Sequence, residues 1–261
     1  QQQFAAVVVL AAFTIENSKI LLNSKTTQHQ YGLANSSGLL GKYLMSHQAV
    51  VVYGMFDEDM QNHLGATGGQ LFSQDNFEKT KGAFGSYQWQ IGLAFKPNDI
   101  IGIGMSRADL FGEELHKFMH QAKRELGAMV GVCEALPLKE NCIELADQKD
   151  QYGIPMARVK HTVHPESKKL WQEAVDQGLS IFKAAGAHSA WNSPPNSQHL
   201  LGGTIMGSNP TSSVTNEHAQ THDIPNLVMG GGSVFPSSSC ANSTFTIHAV
   251  AMKSAEHLIK N

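Results

Sequence analysis

The sequence predicts an α/β fold, α+β overall, on three observations. Residues 4–12 are uniformly apolar and rich in Ala and Val, which suits a central strand covered on both faces. Residues 49–150 mix short apolar runs with a helix-period segment, which reads as a sheet carrying at least one helix. Towards the C-terminus, Leu227-Val-Met runs into Gly230–Gly232, and a helical pattern follows. In open α/β sheets, ligands bind at such strand ends.

Taken in order, Thr14 to Ser24 reads as a helix, with Ile15, Ile20, Leu21 and Leu22 as its apolar stripe. Residues 32–41 are a loop of small residues. Ala49–Met55, Gln88–Phe95 and Ile100–Met105 have the character of strands. Asp109–Glu125 has helical spacing at Leu110, Leu115, Phe118 and Met119. Ile143–Asp147 is a short strand before a turn at Asp150–Gly153. A helix over 165–185 starts with Pro165 at its first position and ends at Gly186. Residues 190–198, with two prolines, form a loop, and a last helix runs from Ser243 to Ile259.

Composition narrows the function. A net charge of −3 with no Lys/Arg-rich run gives no footprint for nucleic acid. The longest apolar run, Phe4 to Phe13, is ten residues, too short to span a bilayer, and no basic segment precedes it as in a signal peptide. Three cysteines make no disulfide framework; Cys133 and Cys142 could pair, with free thiols the expected state. No Cys-x-x-Cys occurs, so no metal site is read. Asp147-Gln-Lys-Asp lacks calcium-loop spacing and reads as a solvated turn.

Chemistry concentrates in the last quarter. His199 stands just before Gly202-Gly203, where backbone can come close to a ligand. Gly230–Gly232 removes side chains at a strand end and offers backbone N–H groups to a phosphate or ring. Asn242 precedes a helix, where Asn is a strong N-cap and the helix start carries partial positive charge. His47, His161, His164 and His248 are isolated and read as structural or surface residues. Trp171 lies in a helix pattern and reads as packing, whereas Trp191, just before His199, could face a substrate.

The order of these elements resembles the glucose–methanol–choline (GMC) flavoprotein oxidoreductases. The likeness runs through His199-Leu-Leu-Gly-Gly-Thr-Ile-Met-Gly207, then Asn226-Leu-Val-Met-Gly-Gly-Gly-Ser-Val-Phe-Pro236, then Asn242-Ser-Thr-Phe-Thr246. Near the N-terminus, Val9 to Ser24 resembles the family segment that passes the FAD and enters a helix, and Asn35 to His47 resembles the loop that follows. Two residues depart from the commonest family form, Ser243 for Pro and Gly231 for Asp. The family's opening strand–Gly-x-Gly-x-x-Gly–helix does not occur in these 261 residues.

The resemblance implies the C-terminal part of an FAD-binding Rossmann-like domain at 1–48 and 191–261, with a sheet-based substrate domain of GMC type at 49–190. It implies His199 and Asn242 as the catalytic pair. It implies FAD contacts from Ala11, Ala12, Gly231, Gly232, Ser233, Asn242, Ser243 and Thr244. His199 would take the hydroxyl proton of a sugar, sugar acid or polyol while hydride passes to FAD, with electrons leaving to a non-oxygen acceptor. The texture is closest to bacterial sugar and polyol dehydrogenases. That likeness implies a small subunit, a cytochrome c acceptor, an N-terminal FAD-binding segment or chain, and a periplasmic or peripheral membrane setting. A lyase on the same scaffold and a non-catalytic partner subunit are the alternatives.

Overall fold

The computed structural model describes residues 3–66, 68–78 and 82–260. Its elements in chain order are β1 (Val8–Leu10), α1 (Thr14–Asn23), β2 (Met45–Met55), β3 (Leu71–Ser73), β4 (Tyr87–Ile91), α2 (Pro97–Gly104), α3 (Gly112–Glu125) and β5 (Leu126–Cys133). There follow β6 (Cys142–Lys149), β7 (Pro155–Lys160), α4 (Pro165–Ala184), β8 (Ser189–Asn192), β9 (Asn196–Leu201), β10 (Leu227–Met229) and α5 (Thr244–Lys260). The chain is mixed α/β, as expected.

The main sheet runs β3-β4-β5-β2-β8, antiparallel throughout, with β9 also pairing β2 on the edge it shares with β8. Strand alternation splits its side chains between two cores. Val50, Val52, Tyr87, Trp89 and Met129 pack on one face against Leu170, Ala174, Val175 and Phe182 of α4. Val51, Tyr53, Met55 and Ala128 pack on the other against Ile100 and Ile103 of α2 and Phe118 and Ala122 of α3. A third core joins Leu21, Ala34, Leu39 and Leu40 to Val214, Leu227, Val228 and Val234, knitting the two ends of the chain together. Among the described residues no helix is long and apolar enough to cross a membrane.

Three expectations fail here. Residues 4–12 do not form a buried central strand: β1 is three residues long, with Val8 47% and Val9 59% exposed. A buried central strand needs strand neighbours on both edges and a layer packed on each face, and among the described strands β1 pairs with β10 alone. Ile100–Met105 belongs to a helix, not a strand. Pro97 supplies the preset φ of a first turn, and the Asp99 carboxylate accepts the Lys96 N–H at 2.7 Å. Residues 190–198 are not a single loop, because β8 and β9 both find ladder partners on β2, leaving Pro194 and Pro195 in the gap between them.

Candidate active site

Strands β1 and β10 are parallel and in register, Leu10 opposite Met229, so both chains turn at the same end. Asn17, fully buried on α1, ties the two turns together. Its Oδ1 accepts the Ala12 N–H at 2.8 Å, and its Nδ2 donates to the Gly230 carbonyl and to Ser233 Oγ, both at 3.0 Å. The Thr14 hydroxyl donates to the Leu200 carbonyl at 2.8 Å, bringing β9 to the same corner. Gly231 has φ 86°, and a Cβ built on it would meet nothing within 4 Å. The bend therefore requires glycine and leaves bare backbone facing open space.

Beside it lies His199. The β2–β9 register slips between Ser46, which faces Leu200, and His47, which faces Gln198. His199 is the extra residue of that bulge, with φ 51°, a conformation costing about 1–2 kcal/mol for a non-glycine residue. The bulge turns its ring onto His47: the two Nδ1 atoms are 2.9 Å apart, and the rings meet edge to face. His47 is fully buried, and its Nε2 lies 2.9 Å from the Ser238 carbonyl. Burial holds both imidazoles below their ordinary pKa. For His47 the Ser238 carbonyl pulls the other way and His199 adds to the depression.

Asn242 completes the group. Its Nδ2 is 3.4 Å from His199 Nε2. Its Oδ1 accepts from Gln88 Nε2 at 3.1 Å and from Gln90 Nε2 at 2.6 Å. Gln88 and Gln90 are two apart on β4, so both project from the face opposite Tyr87 and Trp89.

These positions sort the expected residues. His199 and Asn242 come together, with Ala11, Ala12 and Gly231 along the neighbouring rim. Gly232 and Ser233 are buried and build the corner: the Gly232 carbonyl accepts from Gly202 N–H at 3.0 Å, and the Ser233 hydroxyl is held by Asn17. Ser243 is buried and its carbonyl accepts the Ile247 N–H at 2.9 Å, so Ser243 opens α5 while Thr244 is exposed on the first turn. The side chain of Asn242 is spent on the sheet and on His199 and not on capping that helix.

His47 is not isolated either, because the β2–β9 register brings it to His199. Gly202 serves chain packing rather than ligand approach: at φ 85°, a Cβ there would sit 2.0 Å from the Tyr43 carbonyl oxygen. Trp191 stacks on Tyr53, meets Phe118 edge-on and donates to Ser106 Oγ at 2.9 Å, a packing role. His164 caps α4 by accepting the Glu166 N–H at 3.1 Å. All three cysteines are free and buried.

Sequence reading missed Asn17, His47, Gln88 and Gln90. Gln-Trp-Gln on an apolar strand was a visible signal of a polar face, whereas the pairing of His47 with a residue 152 positions away has no local signature.

Comparison with known proteins gives the chain its family. Residues 137–251 match the C-terminal family model described as GMC oxidoreductase. The chain is 32% identical to the 2-methyl-1,2-propanediol dehydrogenase of Mycolicibacterium austroafricanum, over 97% of this chain and 48% of that protein. It is 30% identical to the fructose dehydrogenase large subunit of Gluconobacter japonicus, over 98% of this chain and 48% of that one. In structure it resembles pyridoxine 4-oxidase from Mesorbium loti, with a TM-score of 0.67, 11% identity, and coverage of 98% of this chain and 52% of that one. The chain thus spans about half the length of the curated relatives it matches. It carries the C-terminal domain of the GMC oxidoreductase family.

Proposed function

We propose that this chain supplies the catalytic half of an FAD-dependent oxidoreductase that oxidises the CH–OH group of a polyol, sugar or sugar acid. The observation that carries this reading is the convergence of His199 and Asn242, 3.4 Å apart, beside a corner of bare backbone. FAD is the cofactor of the family, and the corner fits it. Ala11 and Ala12 are exposed with minimal side chains, Gly231 has none, and Asn17 holds the turns rigid from behind. Ala11, Ala12 and Gly231 would hold the cofactor together with the start of α5, whose Thr244 end favours negative charge in front of it. When bound, FAD accepts the hydride from the alcohol carbon.

The residues of this chain supply the proton chemistry. His199 is neutral near pH 7, because burial depresses its pKa, and so is ready to take the proton of a substrate hydroxyl. Asn242 donates an N–H to the same oxygen and holds it as negative charge develops there. Gln88 and Gln90 keep the Asn242 amide in place.

Two features support further components. Phe245, Met252 and Ile259 follow one another at intervals of seven along one face of α5, and are 90%, 73% and 86% exposed. That face and the exposed Val8 and Val9 of β1 are apolar patches on which an N-terminal FAD-binding segment or chain would pack. The Gluconobacter relative is named as a large subunit. A small subunit follows by analogy, and a cytochrome c as electron acceptor rests on the family resemblance alone.

The test is anaerobic dye reduction by the FAD-loaded protein with a panel of polyols, sugars and sugar acids. Turnover with members of the panel is expected. A protein that holds FAD and reduces dye with none of them would overturn the assignment.

A further inference from the structure

We infer that the hydrogen bonds through this site form one directional chain, anchored at the Ser238 carbonyl, that leaves His199 Nε2 unprotonated as an acceptor and turns the Asn242 nitrogen toward it. His47, Gln88 and Gln90 are then positioning residues. The inference rests on the proposed roles of His199 and Asn242 and adds which atom of each does the work.

The direction is set at one end. A backbone carbonyl can only accept, so the hydrogen between Ser238 and His47 sits on His47 Nε2. A neutral imidazole carries one N–H, so His47 Nδ1 is bare. The hydrogen of the 2.9 Å contact between the two rings must then come from His199 Nδ1. Neutral His199 has no second hydrogen, which leaves its Nε2 as an acceptor. The amide end of Asn242 that faces this lone pair must be the donating nitrogen.

The far end agrees. With its nitrogen turned to His199, Asn242 shows its oxygen to the sheet, where two glutamine nitrogens donate to it. Turning that amide over would set an oxygen against the His199 lone pair. Every donor therefore points the same way, from Gln88 and Gln90 through Asn242, His199 and His47 to Ser238.

Two consequences follow. A hydroxyl proton can be received only at His199 Nε2, while Nδ1–H stays engaged with His47, whose lone pair stabilises the resulting imidazolium. The chain ends at a carbonyl that cannot take up a proton. The proton accepted at Nε2 therefore leaves by the face through which it entered.

The test is NMR of the FAD-loaded protein labelled with 13C and 15N in histidine, with the two rings assigned from the signals lost in His199→Ala and His47→Gln. Opposite tautomers are expected near neutral pH: Nδ1–H on His199 and Nε2–H on His47. An Nε2–H tautomer on His199 overturns the inference, whether or not the protein oxidises alcohols. Dye reduction judges the oxidoreductase reading separately. In Gln88→Glu/Gln90→Glu, carboxylates draw the Asn242 nitrogen to the sheet. The His199 tautomer, set from the Ser238 end, should hold, while the limiting rate of flavin reduction should fall at least tenfold, with a smaller change in substrate affinity. An unchanged rate in that variant would remove the glutamines from the chain. Should it fail to fold, the wild-type tautomers decide alone.

Discussion

Removing Asn17 is the sharpest test of how the cofactor corner is built. Its side chain is fully buried and makes three hydrogen bonds, at 2.8, 3.0 and 3.0 Å, to the β1 turn, the glycine turn and Ser233. At about 1 kcal/mol net for each, Asn17→Ala should lose about 3 kcal/mol. Ala12 and Gly230 lie near enough to solvent for water to replace part of this, while the Ser233 hydroxyl does not. At about 2–4 °C per kcal/mol for a domain of this size, the melting temperature should fall by about 6–12 °C. Asn17→Asp keeps the acceptor for Ala12 N–H but sets an oxygen against the Gly230 carbonyl in a buried site, so it should be no milder. Both variants should also retain less FAD after purification, because the two turns are no longer held in register. Thermal unfolding followed by circular dichroism, with flavin absorbance per polypeptide, reads both effects. A melting temperature within about 1 °C of wild type with full flavin content would refute the reasoning.

Other outcomes follow from the same contacts. His47 and His199 have folded pKa values below the unfolded value of 6.5, so the unfolded chain binds more protons as pH falls below that value. Urea midpoints should therefore drop on acidification below about pH 6.5, and His47→Gln should flatten that slope; an identical slope would count against the burial argument. Burial pushes the Cys133 thiol up to about 12 and also raises that of Cys240, so neither should react with a thiol reagent until the protein unfolds. Rapid native labelling at Cys133 would contradict the packing. Gly202→Ala places a Cβ 2.0 Å from the Tyr43 carbonyl oxygen at φ 85°, so soluble yield or melting temperature should fall sharply, whereas a neutral effect would show that the β9 corner can relax.

What could be read ahead depended on how local the signal was. The helix α4 was legible because its proline start and glycine end are near neighbours in sequence. His199 and Asn242 stood out through the order of the family motifs around them, since a histidine near glycines and an asparagine at a helix start are by themselves ordinary. The segment at 100–105 misled because Ile-Ile-Gly-Ile-Gly-Met has no polar face, and the helix signals lie upstream at Pro97 and Asp99. Pro194-Pro195 suggested a loop, but the flanking strands exist because β2, eleven residues long, offers them an edge. The bulge that aims His199 at His47 depends on register between strands far apart in the chain, which no window of sequence contains. Asn17 illustrates the same limit: it looks like an ordinary helix residue until residues 213 and 216 positions away come to it.

The most direct measurement is anaerobic stopped-flow reduction of the bound flavin by an oxidisable polyol or sugar, comparing wild type with His199→Ala. The account predicts unchanged flavin content and a reduction rate lower by about 100-fold or more, the usual contribution of a general base. Reduction at the wild-type rate in His199→Ala would contradict it.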